Sequence, residues 1–467
     1  MSNYLVTDTE LISTANAIRE KTGSSDNIIW NEATGFSAAI DGIPSGGGSS
    51  VAPNDVNFYD YDGTIVASYS AADFANLSAM PDNPTHEGLI ALGWNWALSR
   101  AKDYVAWCGM VNIGQMYITD DGKTRIYVHF EEGRSSAYLY LCVDGTVDID
   151  WGDGSAHGTM TGSSTDDPAT PIQHNWQPGD YVISLTPEPE TQFSFYGDHD
   201  EGCCLLLKQF GSGEANQVYR NAIKRIELGE GLPFLNSYSF LNCYCLTSIT
   251  IPFGVDVIDG SAFENCFGLK SITIPNSVAT MGSAIFASCY GLASIAMQDY
   301  LYTIPSAIFA FCYGLASIAM PYDGDTIESS AFENCTGLAS VTIPPSVSMI
   351  ENYAFGNCHG LGEVHFLPTT PPILFAETVW DNLPADCTIF VPVSALADYL
   401  TKDYYPTPLG YTYIGFGTYA SGAALPSQDT TQAYDLTWYA TKADALAQTN
   451  AITTGNGREV YCRYIEI

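Results

Sequence analysis

Two stretches of the chain, FENCFGLKSITIP from Phe263 to Pro275 and FENCTGLASVTIP from Phe332 to Pro344, have nearly the same sequence. They are copies of a unit that recurs with a fixed period, since its cysteines stand 23 residues apart with a phenylalanine three residues before each. The six cysteines are Cys243, Cys266, Cys289, Cys312, Cys335 and Cys358. A fixed period of this length is typical of a solenoid, in which a unit buries its apolar face only by stacking on its neighbours.

Each copy of the unit predicts one short strand. Apolar residues alternate in the L-x-S-I-x-I part of the unit, which suits a strand with one buried face. Counting back 23 residues from Leu246 leads to Ile223, and the stretch from there to Leu228 is a seventh, degenerate copy of the strand. Terminal units of repeat arrays usually diverge in this way because they cap the stack. The copies from Phe286 and Phe309 also diverge, with Ala-Met in place of Thr-Ile.

This pattern resembles the BspA-type (treponemal-type) leucine-rich repeat over about residues 218–400. The resemblance implies a right-handed solenoid with one parallel sheet and a role in adhesion. The stretch from Cys387 to Pro392 resembles the closing segment that follows such arrays.

The cysteine column has three possible explanations. A metal site needs clustered Cys-x-x-Cys pairs and histidines, whereas these cysteines are 23 residues apart. Disulfides would be possible only between stacked turns. We predict a column of buried thiols that act as small apolar side chains. All 13 cysteines would then be reduced, which suits assembly in a cytoplasm.

Charge restricts the partners of this chain. The 467 residues leave room for three or four domains and carry a net charge of −36. Between Gly229 and Leu400 the only Lys or Arg is Lys270. Such a surface repels phosphate backbones, so we expect no nucleic-acid partner, and anionic lipid is disfavoured for the same reason. The sequence contains no run of 18 apolar residues, so we predict no membrane insertion.

The first 43 residues predict a short helical segment. Thr7 to Glu10 forms a capping box before a helix, and Pro44 begins a Gly/Ser linker over residues 44–52. The motif YLVTDTEL at the start and GFSAAI at residues 35–40 resemble the N-terminal docking segment of tail and baseplate-associated proteins of phages from Gram-positive gut bacteria. The stretch has no basic start followed by an apolar core, so it predicts no secretion signal.

Residues 53–115 predict a small module. Asp60, Asp62 and Gly63 match the nucleophile motif of haloacid-dehalogenase-type phosphatases, but too few residues follow before the next domain for that fold. The same residues, with Gly93-Trp94 behind them, resemble the internalin-type B-repeat, a β-grasp-like module. That resemblance implies that D-x-D-G is a hairpin turn and that Trp94 lies in the core. A helix is expected from Ala97 to Cys108.

Residues 116–200 predict a β-sandwich. The motifs W-G-D-G at residues 151–154, H-N-W at 174–176 and G-D-Y-V-I at 179–183 resemble those of the PKD-like immunoglobulin fold. The resemblance implies a buried Trp151 and a turn at Asp153-Gly154. Asp148, Asp150 and Asp153 supply oxygen ligands of the kind that calcium takes, but the EF-hand loop is not matched, so we predict no metal and no cofactor.

The C-terminal stretch, residues 410–467, predicts a small β-rich module with paired strands at 434–439 and 459–464 and a helix at 442–448. The fold class expected for the whole chain is therefore mainly β and multidomain, with a short helical N-terminus. No nucleophile motif, phosphate-binding loop or marked carboxylate pair is present, so we predict that the chain is not an enzyme.

Three surfaces of the array are candidates for binding. The outward strand positions carry small side chains and predict either a flat polar binding platform or a solvated face. These positions are Ser271, Thr273, Ser294, Ala296, Ser317, Ala319, Ser340 and Thr342. Residues just after the cysteines predict either an aromatic binding stripe or, as we favour, a stacked ladder. These residues are Tyr244, Phe267, Tyr290, Tyr313, Thr336 and His359.

The third surface is where the repeat loses its regularity, at residues 298–302 and 321–325. Exposed tyrosines beside acids suit stacking and hydrogen bonding to a sugar or a protein. The residues that we predict to bind are Tyr300, Tyr302, Tyr322, Asp323 and Asp325.

Together these features predict a host-recognition protein of a phage tail, assembled in the host cytoplasm and carried on the virion. It would bind a host-surface glycan or protein through the array and a tail or baseplate protein through its N-terminus, and the resemblance implies a possible homotrimer. A bacterial BspA-like cell-surface adhesin is the alternative, although such a protein would be expected to carry an export signal. A tail-associated polysaccharide depolymerase is third.

Overall fold

The computed structural model describes residues 55–132, 136–200, 202–203, 205–207, 216–297 and 301–401, residue 405, and the short stretches 412–418, 428–429, 434–439, 445, 448, 451–452 and 459–466. The helical segment predicted at 1–43, the linker predicted at 44–52 and most of the helix predicted at 442–448 lie outside these residues. What is described is mainly β and multidomain around a solenoid, which confirms the predicted fold class. Across the described chain, none of the helices has the length and apolar character to span a membrane.

The first unit, called here the N-terminal unit, covers residues 55–119 and consists of a four-stranded sheet and two helices. Its elements are β1 (Val56–Tyr59), β2 (Ile65–Tyr69), α1 (Ala71–Ala75), β3 (Leu89–Trp94), α2 (Leu98–Cys108) and β4 (Val111–Thr119). The strand order is β2-β1-β4-β3, with β1 and β4 parallel. Helix α2 buries Ala101, Tyr104 and Val105, which share one face, and it ends at Gly109 with φ 76°. This confirms the helix predicted at 97–108.

The D-x-D-G motif forms the hairpin between β1 and β2, as predicted. The backbone N–H of Asp60 donates to the carbonyl of Thr64 at 2.8 Å, and the N–H of Thr64 donates to Asp62 Oδ1 at 2.8 Å. Gly63 has φ 88°, a value that glycine adopts without strain. Trp94 is buried, also as predicted. The predicted boundary between residues 115 and 116 is wrong, because it would cut β4 in the middle.

The second unit contains two sheets that share a core and a separate two-stranded sheet. Its strands are β5 (Thr124–Phe130), β6 (Ser136–Leu139), β7 (Leu141–Asp150), β8 (Gly158–Pro168), β9 (Ile172–Asn175), β10 (Gly179–Pro187), β11 (Gln192–Phe195), β12 (Gly197–Asp198), β13 (Gly202–Cys203) and β14 (Leu206–Leu207). Of the two sheets that share a core, the larger contains β11-β7-β10-β5, with β8 on β7, and the smaller contains β14-β6-β9, while β12 pairs with β13 in the separate sheet. Trp151 and Trp176 are both buried, and Trp176 Nε1 donates to the Trp151 carbonyl at 3.1 Å. The unit extends past the predicted end at residue 200, because β14 pairs with β6.

The solenoid follows a short helix, α3 (Gln217–Arg220). Its strands are β15 (Ile223–Glu227), β16 (Phe234–Leu235), β17 (Ser248–Thr250), β18 (Val257–Ile258), β19 (Ser271–Thr273), β20 (Thr280–Met281), β21 (Ser294–Ala296), β22 (Thr303–Ile304), β23 (Thr326–Ile327), β24 (Ser340–Ile343), β25 (Met349–Ile350), β26 (Glu363–Phe366), β27 (Ile373–Leu374) and β28 (Thr388–Pro392). After β27 and β28 come 3-10 turns at Glu377–Trp380 and Val393–Ala395, and the segment ends with helix α4 (Leu396–Thr401).

These strands form two rows rather than the single sheet that the resemblance implied. The first row contains the predicted L-x-S-I-x-I strands and begins with the degenerate copy β15, which pairs with β17 in parallel. The second row consists of two-residue strands such as β18 and β20, also in parallel. The copy at 317–319 has no strand, and there Ala319 packs into the core of the N-terminal unit. The strand predicted for that copy is therefore wrong.

Equivalent side chains of successive turns stack directly on one another. The six phenylalanines of the repeat form a column with ring centroids 5.3–5.7 Å apart, and Trp380 continues it at 4.9 Å from Phe355. The cysteines form a second buried column beside it. Each thiol from Cys266 onward donates to the carbonyl of the phenylalanine one turn earlier, at 3.1–3.3 Å. The six cysteines of this column are free thiols, which confirms the prediction for them and adds a hydrogen bond to it.

The aromatic residues directly after the cysteines form the stacked ladder that the sequence predicts. The rings from Tyr244 to Tyr313 stack at centroid distances of 4.4, 4.5 and 5.0 Å. They are half-buried, and burial raises the pKa of Tyr313 to about 12. Rings that stack on each other have their faces covered, so this column offers only edges to a ligand.

Every turn contains two non-glycine residues with positive φ, two positions before and two positions after its phenylalanine. They are Tyr238, Asn242, Ser261, Asn265, Ala284, Ser288, Ala307, Phe311, Ser330, Asn334, Tyr353 and Asn357. Asparagine tolerates this region better than most residues, and it occupies the second position in all but the two divergent copies. In one of those copies Phe311 stands there at φ 63° and is 38% exposed.

Both ends of the first row continue into the neighbouring units. At the start, β15 pairs antiparallel with β5 of the second unit. At the other end, β28 pairs in parallel with the first strand of the C-terminal module. That module contains β29 (Thr412–Thr418), β30 (Gln428–Asp429), β31 (Tyr434–Tyr439), β32 (Ala451–Ile452) and β33 (Glu459–Glu466). The antiparallel pairing of β31 with β33 confirms the predicted strand pair, and the pairing of β28 with β26 places the predicted closing segment in the row.

The N-terminal unit lies across the first row of the solenoid. The side-chain amide of Asn95, which is 1% exposed, donates to the Ala296 carbonyl at 3.2 Å. The indole of Trp96 donates to the Met297 carbonyl at 3.0 Å, and the hydroxyl of Tyr104 donates to the Met320 carbonyl at 2.7 Å. Strand β4 approaches so closely that a Cβ placed on Gly114 would collide with Thr273 and lie 2.8 Å from Ala296 Cβ.

We predict that two phenylalanines two residues apart respond differently to substitution. Phe309→Ala removes a fully buried ring from the column and should lower the free energy of unfolding by about 3–5 kcal/mol. Phe311→Asn relieves a positive-φ position at the cost of one edge contact to Tyr313, so stability should change by less than about 1 kcal/mol. Denaturant unfolding of both variants checks this, and equal losses would contradict the stacking argument.

We also predict that Gly114→Ala weakens the packing of the N-terminal unit on the array by about 1–3 kcal/mol, because the added methyl group meets Thr273 and Ala296. Limited proteolysis should cut between the two bodies faster than in the unchanged protein. Gly362→Ala is the matched control, since a Cβ there meets only the Ala339 carbonyl at 3.7 Å. Equal cleavage rates for both variants would show that the close approach at Gly114 carries no packing energy.

Candidate binding surfaces

The smooth strand face that we considered as a binding platform is covered over much of its length. Ser271, Ser294, Ala296 and Ala319 are only 4%, 5%, 2% and 6% exposed. Both expectations for these residues, a platform and a solvated face, are therefore wrong. The small side chains serve instead to admit Gly114 and the other residues of the N-terminal unit. Ser340 and Thr342, further along the row, keep intermediate exposure.

Two of the predicted binding residues lie side by side on the array. Tyr302 is 76% exposed, and its carbonyl accepts a hydrogen bond from the N–H of Asp325 at 2.7 Å. Asp325 is exposed as well, and its carbonyl accepts from the N–H of Ser348 at 2.8 Å. Backbone bonds between turns thus fix an exposed ring next to an exposed carboxylate. Tyr300 lies outside the described residues.

The other two predicted residues contact the N-terminal unit. The guanidinium carbon of Arg100 lies 5.3 Å from the ring centroid of Tyr322, and Arg100 Nη2 lies 3.4 Å from Asp323 Oδ2. Tyr322 also packs against the core of that unit. Partial burial, followed by the charge of Asp323, raises the pKa of Tyr322. The four predicted residues that the structure describes therefore separate into an outward pair and a pair that joins two units.

Sequence reasoning missed several exposed apolar side chains on the solenoid. Phe253, Ile373 and Phe375 are 60%, 58% and 62% exposed. Ile373 belongs to the second strand row, which the sequence did not predict, so its outward position could not be assigned.

The carboxylates of the two other units take part in local hydrogen bonds. Asp60 accepts from the hydroxyl of Tyr117 at 2.8 Å and lies 2.7 Å from His86 Nε2, so it stabilises the hairpin. Asp153 pairs with His174 at 2.9 Å. Partial burial acts to raise the pKa of Asp153, but hydrogen bonds from Ser155 and His174 outweigh it and lower the value to about 2. Within the residues that the structure covers, no three His, Cys, Asp or Glu side chains are grouped to hold a metal ion.

A polar groove that was not predicted lies where the first two units meet the solenoid. It encloses about 570 Å³ and is lined by Tyr61, His86, Glu87, Gly88, Asp120, Arg125, Tyr127, Arg225 and Glu227. One sequence signal pointed to it. Basic residues are rare in this chain of net charge −36, yet two pairs of them, at 123 with 125 and at 224 with 225, lie at the start of β5 and within β15, the strands that meet here.

Comparison with known proteins identifies the repeat. The family model described as "BspA type Leucine rich repeat region" matches residues 233–362 in six copies. No curated protein matches the chain.

Among solved structures, a leucine-rich cell surface protein from Faecalibacterium prausnitzii A2-165 is 26% identical, with 31% of this chain and 48% of that chain covered and a TM-score of 0.27. A leucine-rich repeat protein from Eubacterium ventriosum is 22% identical, with 40% and 47% covered and a TM-score of 0.32. One from T. pallidum is 24% identical, with 40% and 84% covered and a TM-score of 0.26. The match thus spans about half the length of the first two structures. The repeating part of the chain, residues 233–362, is a region of BspA-type leucine-rich repeats.

Proposed function

We propose that this chain is a non-catalytic adhesion protein that binds a host-surface glycan or protein through its repeat array. The observation that carries the proposal is the BspA-type repeat region itself, built as a stack of turns with an exposed aromatic and an exposed carboxylate side by side. Stacked repeats create extended rigid surfaces, which are typically used for binding. Tyr302 supplies a flat amphipathic ring of the kind enriched at recognition sites.

Because the N-terminal unit covers much of the first row, we place the proposed binding region elsewhere on the array. Tyr302 and Asp325 flank the second row at β22 and β23, on turns held in register by parallel pairing. A rigid backbone reduces the entropy that is lost when a ligand binds. The neutral or basic partners that suit an acidic protein are also those that an exposed tyrosine and carboxylate can bind.

The proposal also covers where this adhesion protein is located, on a phage tail or on a bacterial surface. We infer a phage tail-associated host-recognition protein, because residues 1–43 resemble the docking segment of tail and baseplate-associated proteins. Attachment to a tail or baseplate protein through that segment, and assembly as a homotrimer, belong to the same proposal. A bacterial BspA-like cell-surface adhesin is the second candidate, and the repeat region supports it at least as well.

We predict that the full-length protein binds intact bacterial cells and that Tyr302→Ala with Asp325→Ala weakens this binding at least tenfold, equivalent to about 1.4 kcal/mol. Flow cytometry with labelled protein on a panel of Gram-positive gut strains measures this. Point variants are preferable to deleting the array, because the first row is hydrogen-bonded to units on both sides and a deletion would break their sheets.

Phe253→Ala is the matched control, since it removes another exposed aromatic ring from the same array. Equal effects of the control and the double variant would contradict the assignment of Tyr302 and Asp325. Absence of binding to every strain would contradict adhesion itself. Release of sugars from host cell-wall polysaccharide by the purified protein would favour the depolymerase instead.

An antibody raised against residues 216–401 distinguishes a location on the phage tail from one on the bacterial surface. We expect it to label the tails of purified phage particles in electron micrographs. Labelling of the envelope of uninfected bacteria, with no label on particles, would support the cell-surface adhesin and overturn the tail assignment.

A further inference from the structure

We propose that the groove between the N-terminal unit, the second unit and the first solenoid strand is a binding subsite for one or two residues of a neutral sugar chain. This inference deepens the proposed adhesion function and rests on it. The groove is separate from Tyr302 and Asp325, and its lining comes from three parts of the fold that meet only in the folded chain.

The floor of the groove is organised around Glu227 on β15. Its side chain is 2% exposed, and Oε1 lies 2.7 Å from Arg225 Nη2. Glu227 Oε2 accepts from the hydroxyl of Tyr127 at 3.0 Å and lies 3.9 Å from Arg125 Nη1. A buried carboxylate with two guanidiniums and a hydroxyl around it holds those donors in place.

Arg225 stands between two aromatic rings at the centre of the groove. Its guanidinium carbon lies 4.0 Å from the ring centroid of Tyr127 and 5.9 Å from that of Tyr61. Nη1 donates to the Tyr61 hydroxyl at 3.2 Å, whereas the buried Nε has no hydrogen-bond partner among the residues that the structure describes.

The opposite wall comes from the N-terminal unit and the turn after β4. His86 contacts the ring of Tyr61 edge-on, with centroids 5.0 Å apart. Arg125 Nη1 donates to the Gly88 carbonyl at 3.4 Å, and its Nη2 lies 2.9 Å from Asp121 Oδ1. Glu87 is exposed at the rim. Donors and acceptors therefore occur together around the opening.

This lining matches a polyhydroxylated ring better than other ligands. A sugar hydroxyl both donates and accepts, so it needs guanidinium donors and carboxylate acceptors close together, and the groove provides both. Tyrosine and histidine rings beside them suit the apolar C–H face of a sugar. Two guanidiniums are opposed by three carboxylates, so an anion is disfavoured. A volume of about 570 Å³ lies within the range of small-molecule sites.

A peptide fits the groove less well. Peptides commonly bind by adding a strand to a free sheet edge or by laying an apolar helix face in an apolar groove. Both strands at the floor are already paired on each side, β5 with β10 and β15, and β15 with β5 and β17. The lining is polar, so an apolar helix face has no matching surface.

Saturation-transfer difference NMR on the full-length protein tests the subsite. The probes are the methyl glycosides of D-glucose, D-galactose and N-acetyl-D-glucosamine, with D-glucuronate as the charged counterpart. We expect transfer to the ring protons of at least one neutral glycoside. Glu87→Ala and Arg225→Lys should each reduce that transfer several-fold, because the first removes a rim acceptor and the second removes the planar donor fork.

Glu87 is exposed, so its substitution leaves the packing intact, and unchanged thermal unfolding of Glu87→Ala verifies this. Tyr302→Ala is the control and should leave the transfer unchanged. Transfer to glucuronate alone, transfer that persists in both groove variants, or no transfer to any probe would each overturn the subsite. If the protein still binds cells in those cases, the adhesion proposal stands. If the unchanged protein binds no cells, adhesion itself is overturned.

Discussion

Hydrogen bonding between successive turns is the constraint on which the rest of this molecule depends. A solenoid turn is too short to satisfy its own backbone, so each turn bonds to the next, as the N–H of Phe263 does with the carbonyl of Ile285 at 2.9 Å. The Phe263 carbonyl is bonded in turn by the Cys289 thiol, which is small enough to stay buried beside the ring column. The same constraint acts at the ends of the stack, where unpaired strand edges would promote aggregation. Strands β5 and β29 remove those edges by extending the first row into the neighbouring units.

Contact between the N-terminal unit and the array also depends on hydrogen bonds to the backbone of the turns. Backbone carbonyls at the end of β21 accept hydrogen bonds from Asn95 and Trp96, so the unit contributes donors where the row is interrupted. The contact occupies the face that repeat proteins commonly leave open to partners. In our proposal, recognition is thereby directed to the flank with Tyr302 and to the groove that the same contact helps to form.

Local periodicity was sufficient to predict the solenoid, its degenerate first strand and the buried cysteines, because these depend on residues near in sequence. The hairpin at Asp60 was implied by a family resemblance instead. The second strand row was missed because a strand of two residues leaves almost no alternation to detect. Burial of Ser271 and Ser294 could not be predicted either, since small polar residues fit solvent and a close backbone equally well. The groove combines residues from 61 to 227, and only the tertiary arrangement brings them together. The types assigned by resemblance to the units before the array, and the binding residues Tyr302 and Asp325, stay predictions.

Hydrogen bonding of the N-terminal unit to the array also limits where repeats can be added to or lost from this protein. Repeat arrays commonly gain or lose whole units, since each unit contacts only its neighbours. Here one rigid body contacts the carbonyls of Ala296, Met297 and Met320, which lie on successive turns. Inserting a unit between those turns would move one set of acceptors by about 4.8 Å, the spacing of adjacent strands, and out of reach of its donor. Variation in repeat number is therefore confined to turns beyond Met320, so the array has a part of constant length and a part that is free to vary.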